Sequence, residues 1–275
     1  MTSAVSDSTF SSTGRQRRYL PVVHSWRGAT ALISPLLLCV LWYWATAARW
    51  IPEQILPAPA VVWETFIDLI DTGELQMHLQ ISLFRLFTGF ALGAVAGLIF
   101  GALLAISETV RVYFGLLFET LRHIPTLVLI PMLILLLGIG ETLKIVIIVK
   151  AVFFPVAQAA TEGVKNIPRA FLEVGQVYRL PHVTLYRRII LPAIIPPVLT
   201  GVRIALGRAW LILVAVELLA ADSGIGQMME FARQMLRLDI VFIGVILTGL
   251  VGFGLDKSLR LLECYLVRWR GRHHE

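Results

Sequence analysis

Long apolar runs alternate with short polar breaks along nearly the whole chain. The runs cover about 30–48, 79–106, 111–137, 141–161, 193–220 and 240–266. A helix needs roughly 20 largely apolar residues to cross the hydrocarbon core of a bilayer. The pattern therefore predicts six membrane-spanning helices and an all-α fold. Between the first two runs, Pro52, Pro57 and Pro59 break helix, because proline lacks an N–H donor. The stretch from Val61 to Ile70 that follows is amphipathic and can lie on a membrane surface. Gly138 and Gly140 make a tight turn between the third and fourth runs, and a short helix is expected after Gly226. One break is unlike the others. Residues Glu173 to Pro192 (EVGQVYRLPHVTLYRRIILP) form a long, basic, helix-forming island between two apolar blocks. An island of that length sits in water and meets a partner.

Composition agrees with this pattern. Of 275 residues, 57% are hydrophobic and only 15% are charged, against about 25% charged in a soluble domain. Cys39 and Cys264 lie in or beside apolar segments and fit no disulfide framework or metal spacing. Arg15, Arg17, Arg18 and Arg27 precede the first run. That leader is long and the run ends without a clear cleavage site, so a tail and a retained span are expected rather than a signal peptide.

Charge location orients the chain. The net charge of +6 requires no nucleic acid. Basic residues crowd into 15–27, 165–188 and 257–272, whereas 51–75 carries Glu53, Glu64, Asp68, Asp71 and Glu74 but no Lys or Arg. Short loops rich in Lys and Arg stay in the cytoplasm. Both termini and the loop at 162–192 are therefore expected inside, and 51–75 outside. Arg233 and Arg237 in the last outside loop run against the trend, beside acidic neighbours that balance them in part. The expected layout is a cytoplasmic tail at 1–28, a transmembrane domain at 29–266 and a cytoplasmic tail at 267–275.

The basic island carries a pattern. Glu173, two small or apolar residues and a long gap lead to Ile189, Leu191 and Pro192. It resembles the cytoplasmic coupling loop of ABC-importer permeases, which reads E-A-A, three residues, G, nine residues, I-x-L-P. Val174 and Gly175 replace the two alanines, and Arg179 stands at the usual glycine. A short helix opening near Pro168 would put Arg169 and Glu173 four residues apart, within ion-pair reach. Pro181 interrupts it. A second short helix around 182–190 would present Tyr186, Arg187 and Arg188 to the partner, and Pro192 re-enters the membrane. The alternative is a solvated loop whose arginines rest on lipid phosphates.

Charges inside spans are costly and are candidates for function. In the fifth run these are Arg203, Arg208 and Glu217; Arg85 lies near the start of the second and Lys150 in the fourth. Arg203 and Glu217 share a helix face roughly 21 Å apart, and Arg208 lies nearly opposite Glu217. Each either locks helices through a partner or lines a passage for an anion. Arg85 is a candidate partner for Glu217. The second run also carries Gly89, Gly93, Gly97 and Gly101 on one face, where another backbone can approach closely. That face packs either within the subunit or against a second copy.

There is no G-x-x-x-x-G-K-[ST] loop for nucleotide phosphates, no H-E-x-x-H and no nucleophile motif. The expectation is a transport subunit, not an enzyme, with no cofactor of its own. The resemblance extends to residues 56–101, 119–133 (ETLRHIPTLVLIPML) and 201–226, which are similar to permeases for nitrate, aliphatic sulfonates and taurine. It implies the type I ABC-importer permease fold in a bacterial inner membrane, with the coupling loop between the fourth and fifth spans. It also implies a second copy of the permease, two ATP-binding cassette subunits carrying ATP and Mg, and an external solute-binding protein. The solute would be a small oxyanion. Bicarbonate, aromatic acids and pyrimidine vitamin precursors are served by related permeases and stay open. An ion-gradient-driven secondary transporter would require inverted repeats or broken midplane helices; the sequence shows neither pattern.

Overall fold

The computed structural model describes residues 26–167, 178, 181, 184, 187 and 191–266. Two compact units are present, 1–51 and 52–275. In the first unit, α1 (Trp26–Ala47) is helical throughout despite Pro35. Near its end the Thr46 hydroxyl donates to the carbonyls of Trp42 and Tyr43. Trp44 and Trp50 then pack edge to face, 4.7 Å between centroids.

The second unit is all-helical among the described residues. Its elements are α2 (Pro59–Asp71), α3 (Glu74–Ile106), α4 (Glu108–Arg122), a 3₁₀ turn (Thr126–Leu129), α5 (Ile130–Leu137) and α6 (Glu141–Lys165). After the coupling-loop region come α7 (Leu191–Ala220), α8 (Ile225–Gln234) and α9 (Leu238–Leu266). The amphipathic stretch is α2, which starts on Pro59 and buries Val62, Thr65 and Leu69 along one face. The short helix expected after Gly226 starts at Ile225, behind Gly224.

Among the described residues three helices, α3, α6 and α9, are long and apolar enough to cross a membrane alone; the number reaches five if each of two bent pairs is one span. The third apolar run is one of these pairs, which corrects the continuous helix expected over 111–137. Helix α4 and the segment Thr126–Leu137 meet at 90°. Pro125 explains the break. It offers no N–H and pushes Ile124 away from helical geometry, so α4 closes with tightened bonds from His123 and Ile124 to the carbonyls of Thr120 and Leu121. The other pair, α7 with α8, bends by 41° at residues 221–224.

Helix α6 is central, with α3 along one side and α7 along another. The core joins Leu86 and Ala94 of α3, Ile148, Val152 and Val156 of α6, Trp210 and Leu213 of α7, and Ile225 and Met229 of α8. Trp210 is buried because its indole N–H has an acceptor, the Thr248 carbonyl of α9, at 3.0 Å. The glycine face of α3 packs within the subunit. A Cβ on Gly89 would lie 2.7 Å from the Ile148 side chain, one on Gly93 2.8 Å from the Val149 carbonyl oxygen, and one on Gly97 2.7 Å from the Phe153 carbonyl oxygen. At Gly101 it would strike the backbone of Ala157. The two helix backbones touch along this stripe, so larger residues would drive them apart. Gly101→Leu should lower stability by about 1–3 kcal/mol or more through overpacking. Gly249→Ala, with nothing within 4 Å, should stay within about 0.5 kcal/mol of the parent. Thermal melting of the purified protein in detergent measures both.

Candidate functional site

A buried polar cluster joins α3, α6, α7 and the turn before α8. It starts from Arg85, whose side chain is 1% exposed. A guanidinium carries five N–H donors and no acceptor, and here every donor has a partner. Nε reaches Glu141 Oε2 at 2.7 Å. One Nη1 bond goes to Glu217 Oε1 at 2.9 Å and the other to the Ser223 carbonyl at 2.6 Å. Nη2 meets Glu141 Oε1 and Ser223 Oγ, the latter at 2.8 Å. Glu141 also accepts from Lys144 Nζ at 3.0 Å. Two cations and two carboxylates thus balance in one network. That balance matters because an unpaired charge buried there would cost several kcal/mol.

The Glu217 carboxylate is enclosed on every side. Ser82 Oγ lies 2.8–2.9 Å from its two oxygens, and the Gly226 N–H donates to Oε2 at 3.1 Å. Ser82 in turn accepts from the Ile225 N–H at 2.9 Å. The Gly224 N–H donates to His78 Nδ1 at 3.0 Å, which leaves the ring proton of a neutral His78 on Nε2. Gly224 has φ +111°, a left-handed conformation, and a Cβ there would collide with the carboxylate. The turn Gly224–Ile225–Gly226 is therefore shaped around Glu217.

The sequence named Arg85 and Glu217 but not Ser82, His78, Glu141, Lys144 or Ser223. A signal for the first two existed. His78, Ser82 and Arg85 lie on one face of α3, spaced four and three, and the same face continues into the glycine stripe. The others come from distant elements.

The remaining intramembrane candidates separate into two kinds. Arg203 is paired across to α9, with Nη1 3.1 Å from Glu263 Oε2 and Nε 3.9 Å from Asp256 Oδ1. Thr200 Oγ1 donates to the other Glu263 oxygen at 2.8 Å. Arg208 is exposed on the opposite face of α7 from Glu217, beside a surface groove. Among the expected coupling residues, Arg169, Glu173, Arg179, Tyr186, Arg188 and Ile189 lie outside the described residues. Arg187 is exposed, Leu191 opens α7, and Pro192 sits in its first turn, where a missing N–H costs nothing. In the same segment the Thr184 N–H donates to the Pro181 carbonyl at 2.9 Å, and Tyr178 is exposed.

An apolar helical bundle with broken elements, held by a closed internal charge network, defines a membrane-embedded subunit. Residues 93–264 match the binding-protein-dependent transport system inner membrane component family. The chain is 36% identical, over 88% of its length and 88% of the relative's, to an aliphatic sulfonates transport permease protein, SsuC, of Bacillus subtilis (strain 168). It is 32% identical, over 86% of its length and 87% of the relative's, to the taurine transport system permease protein TauC of Escherichia coli (strain K12). A solved amino acid ABC transporter shares the fold with a TM-score of 0.56, at 16% identity, over 73% of this chain and 95% of that one. The chain belongs to the binding-protein-dependent transport system inner membrane component family. It is a permease subunit of an ABC importer.

The closed network makes Glu217 a structural group first. Glu217→Ala would strand the Arg85 guanidinium and the Gly226 N–H, at a cost of about 3–5 kcal/mol. Glu217→Gln keeps one acceptor oxygen and should cost less. Gly224→Ala should destabilise through both backbone strain and collision with the carboxylate. Melting temperatures of the purified variants check this. A Glu217→Ala protein that melts with the parent but no longer transports would move Glu217 to the pathway.

Proposed function

We propose that this permease forms the translocation path for a small oxyanion, with an alkanesulfonate, taurine or nitrate as the solute. The observation that carries this reading is identity of 36% and 32% to permeases whose names state aliphatic sulfonates and taurine, over most of the chain. Two copies of the permease would enclose the path. Two ATP-binding cassette subunits, carrying ATP and Mg, would supply the energy, and an external binding protein would deliver the solute.

The loop at 162–192 would transmit nucleotide-driven closure. Glu173 and Arg169 would hold its first helix, while Tyr186, Arg187 and Arg188 would face the ATPase. Arg179 adds a bulky cation at a position where the resembled pattern has glycine. Both termini would be cytoplasmic, as the distribution of Lys and Arg indicates. Switching between outward-open and inward-open states then follows if the ATPase favours one packing of the dimer and the loaded binding protein the other, since a ligand shifts an equilibrium only by its differential affinity.

The test is ATP-driven uptake of ethanesulfonate, taurine and nitrate by the complete complex in proteoliposomes. Uptake of at least one is expected, and uptake of none would overturn the reading. Glu173→Arg should leave the complex assembled while solute-stimulated ATP hydrolysis and uptake both collapse. A reporter fused after Glu275 or inserted near Asn166 should report the cytoplasm, and a tag near Asp71 should be reachable from outside. Termini on opposite sides would refute the even number of spans.

A further inference from the structure

Away from the helix ends, α3, α6 and α7 carry Arg85, Lys144, Lys150, Arg203 and Arg208 as cations. Arg85, Lys144 and Arg203 are each on a carboxylate. Lys150 and Arg208 are not. Lys150 Nζ donates to the Ile124 carbonyl at 2.8 Å and meets Thr126 Oγ1 at 3.3 Å. Both partners are neutral, the ammonium lies 5.5 Å from the centre of the Phe154 ring, and it has a third N–H to give. Arg208 makes no hydrogen bond or ion pair among the described residues, though it stands near the middle of the 30-residue α7. A guanidinium on an apolar helix faces water or a counter-charge, because lipid solvates it poorly.

Both side chains line one groove of about 210 Å³, together with Arg122, Ile124, Thr126 and Gln158. That volume is far above the ~10–15 Å³ needed for a single water. No carboxylate among the described residues lines it. Arg122 is paired with Glu119 at 2.9 Å, so the groove's cations without a carboxylate partner among the described residues are Lys150 and Arg208. The groove lies where Pro125 breaks the third apolar run, and the break turns the Ile124 carbonyl and the Thr126 hydroxyl toward Lys150. Past Arg208 it continues into a second groove of about 390 Å³ that reaches Glu162. Glu162 accepts from Gln158 Nε2 at 2.7 Å, so the acidic side chain stands at the Gln158 end and the cations Lys150 and Arg208 line the stretch itself.

We propose that the Lys150–Arg208 groove at the broken helix is a binding site for the oxyanion inside the permease. This rests on the oxyanion reading above. A guanidinium can grip two oxygens of a sulfonate or nitrate side by side. Lys150 adds a point charge with its free N–H, and the Thr126 hydroxyl adds a neutral partner. Arg85 and Glu217 take no part, since their bonding capacity is used within the fold, and Arg203 is paired with Glu263 of α9.

The experiment uses the complete complex in proteoliposomes, with whichever of ethanesulfonate, taurine or nitrate the parent transports. If the parent transports none, the oxyanion reading fails and this site falls with it. Given a transported solute, Arg208→Gln and Lys150→Gln should each lower uptake roughly ten-fold or more, the scale of losing one charge-assisted hydrogen bond. Arg208→Lys keeps the charge but loses the two-pronged grip, so the complex should assemble and its uptake should fall between the parent and Arg208→Gln. Uptake equal to the parent in Arg208→Gln overturns the site while leaving the oxyanion reading intact. Loss of assembly in Arg208→Gln overturns it too, because the charge would then be holding the fold. A second measurement leaves both cations in place. With Cys39 and Cys264 replaced by serine, Ile212→Cys, on the groove one turn from Arg208, should react faster with an anionic than with a cationic methanethiosulfonate, each rate normalised to a free thiol. Equal normalised rates, or a preference for the cationic reagent, would overturn the site.

Discussion

Arg85 cannot be buried in an apolar bundle unless all five of its N–H donors are met. The arrangement of the second unit follows from that requirement. Meeting them takes Glu141 from the start of α6, Glu217 from the end of α7, and the Ser223 carbonyl and hydroxyl from the turn before α8. These are the elements that the apolar core joins to α3. Hydrophobic packing is non-directional and would tolerate several rotations of these helices. A fully used guanidinium tolerates few. The network therefore specifies which faces meet, more than it adds net stability.

The same face of α3 performs two tasks along its length. Toward its N-terminal half it presents His78, Ser82 and Arg85, which bind the turn at 223–226. Beyond them it presents Gly89, Gly93, Gly97 and Gly101, which admit the backbone of α6. Polar contacts set register at one end and close backbone contact carries it along the rest. This division leaves the charges of the bundle in two classes. Arg85, Lys144, Arg203 and Glu217 have partners inside the fold. Arg208 and Lys150 line an open groove and, among the described residues, sit on no carboxylate.

The sequence shows no broken helix of the kind many gradient-driven transporters carry at the membrane midplane. The structure contains two bent pairs, one at 90°, so that consideration no longer separates the classes. Membership of the transport-permease family does separate them. The 90° break has a local cause, Pro125, and a consequence at a distance. It exposes one backbone carbonyl to Lys150, and irregular backbone is tolerated among apolar helices where it is buried in protein or lines a cavity.

The sequence by itself determined the helical class, the approximate bounds of most apolar helices, the amphipathic helix at α2 and the set of charges worth asking about. Those properties depend on local composition and periodicity, which short-range physics dictates. The 3.6-residue period also placed Arg208 opposite Glu217 and the glycines on one face. Tertiary structure alone decided partners. Glu141 and Ser223 lie 56 and 138 positions from Arg85, and no local pattern marks them as its acceptors. Arg203 and Arg208, five residues apart on one helix, read alike as intramembrane arginines. One faces Glu263 on α9 and the other faces a groove, and that difference exists only once the helices are packed.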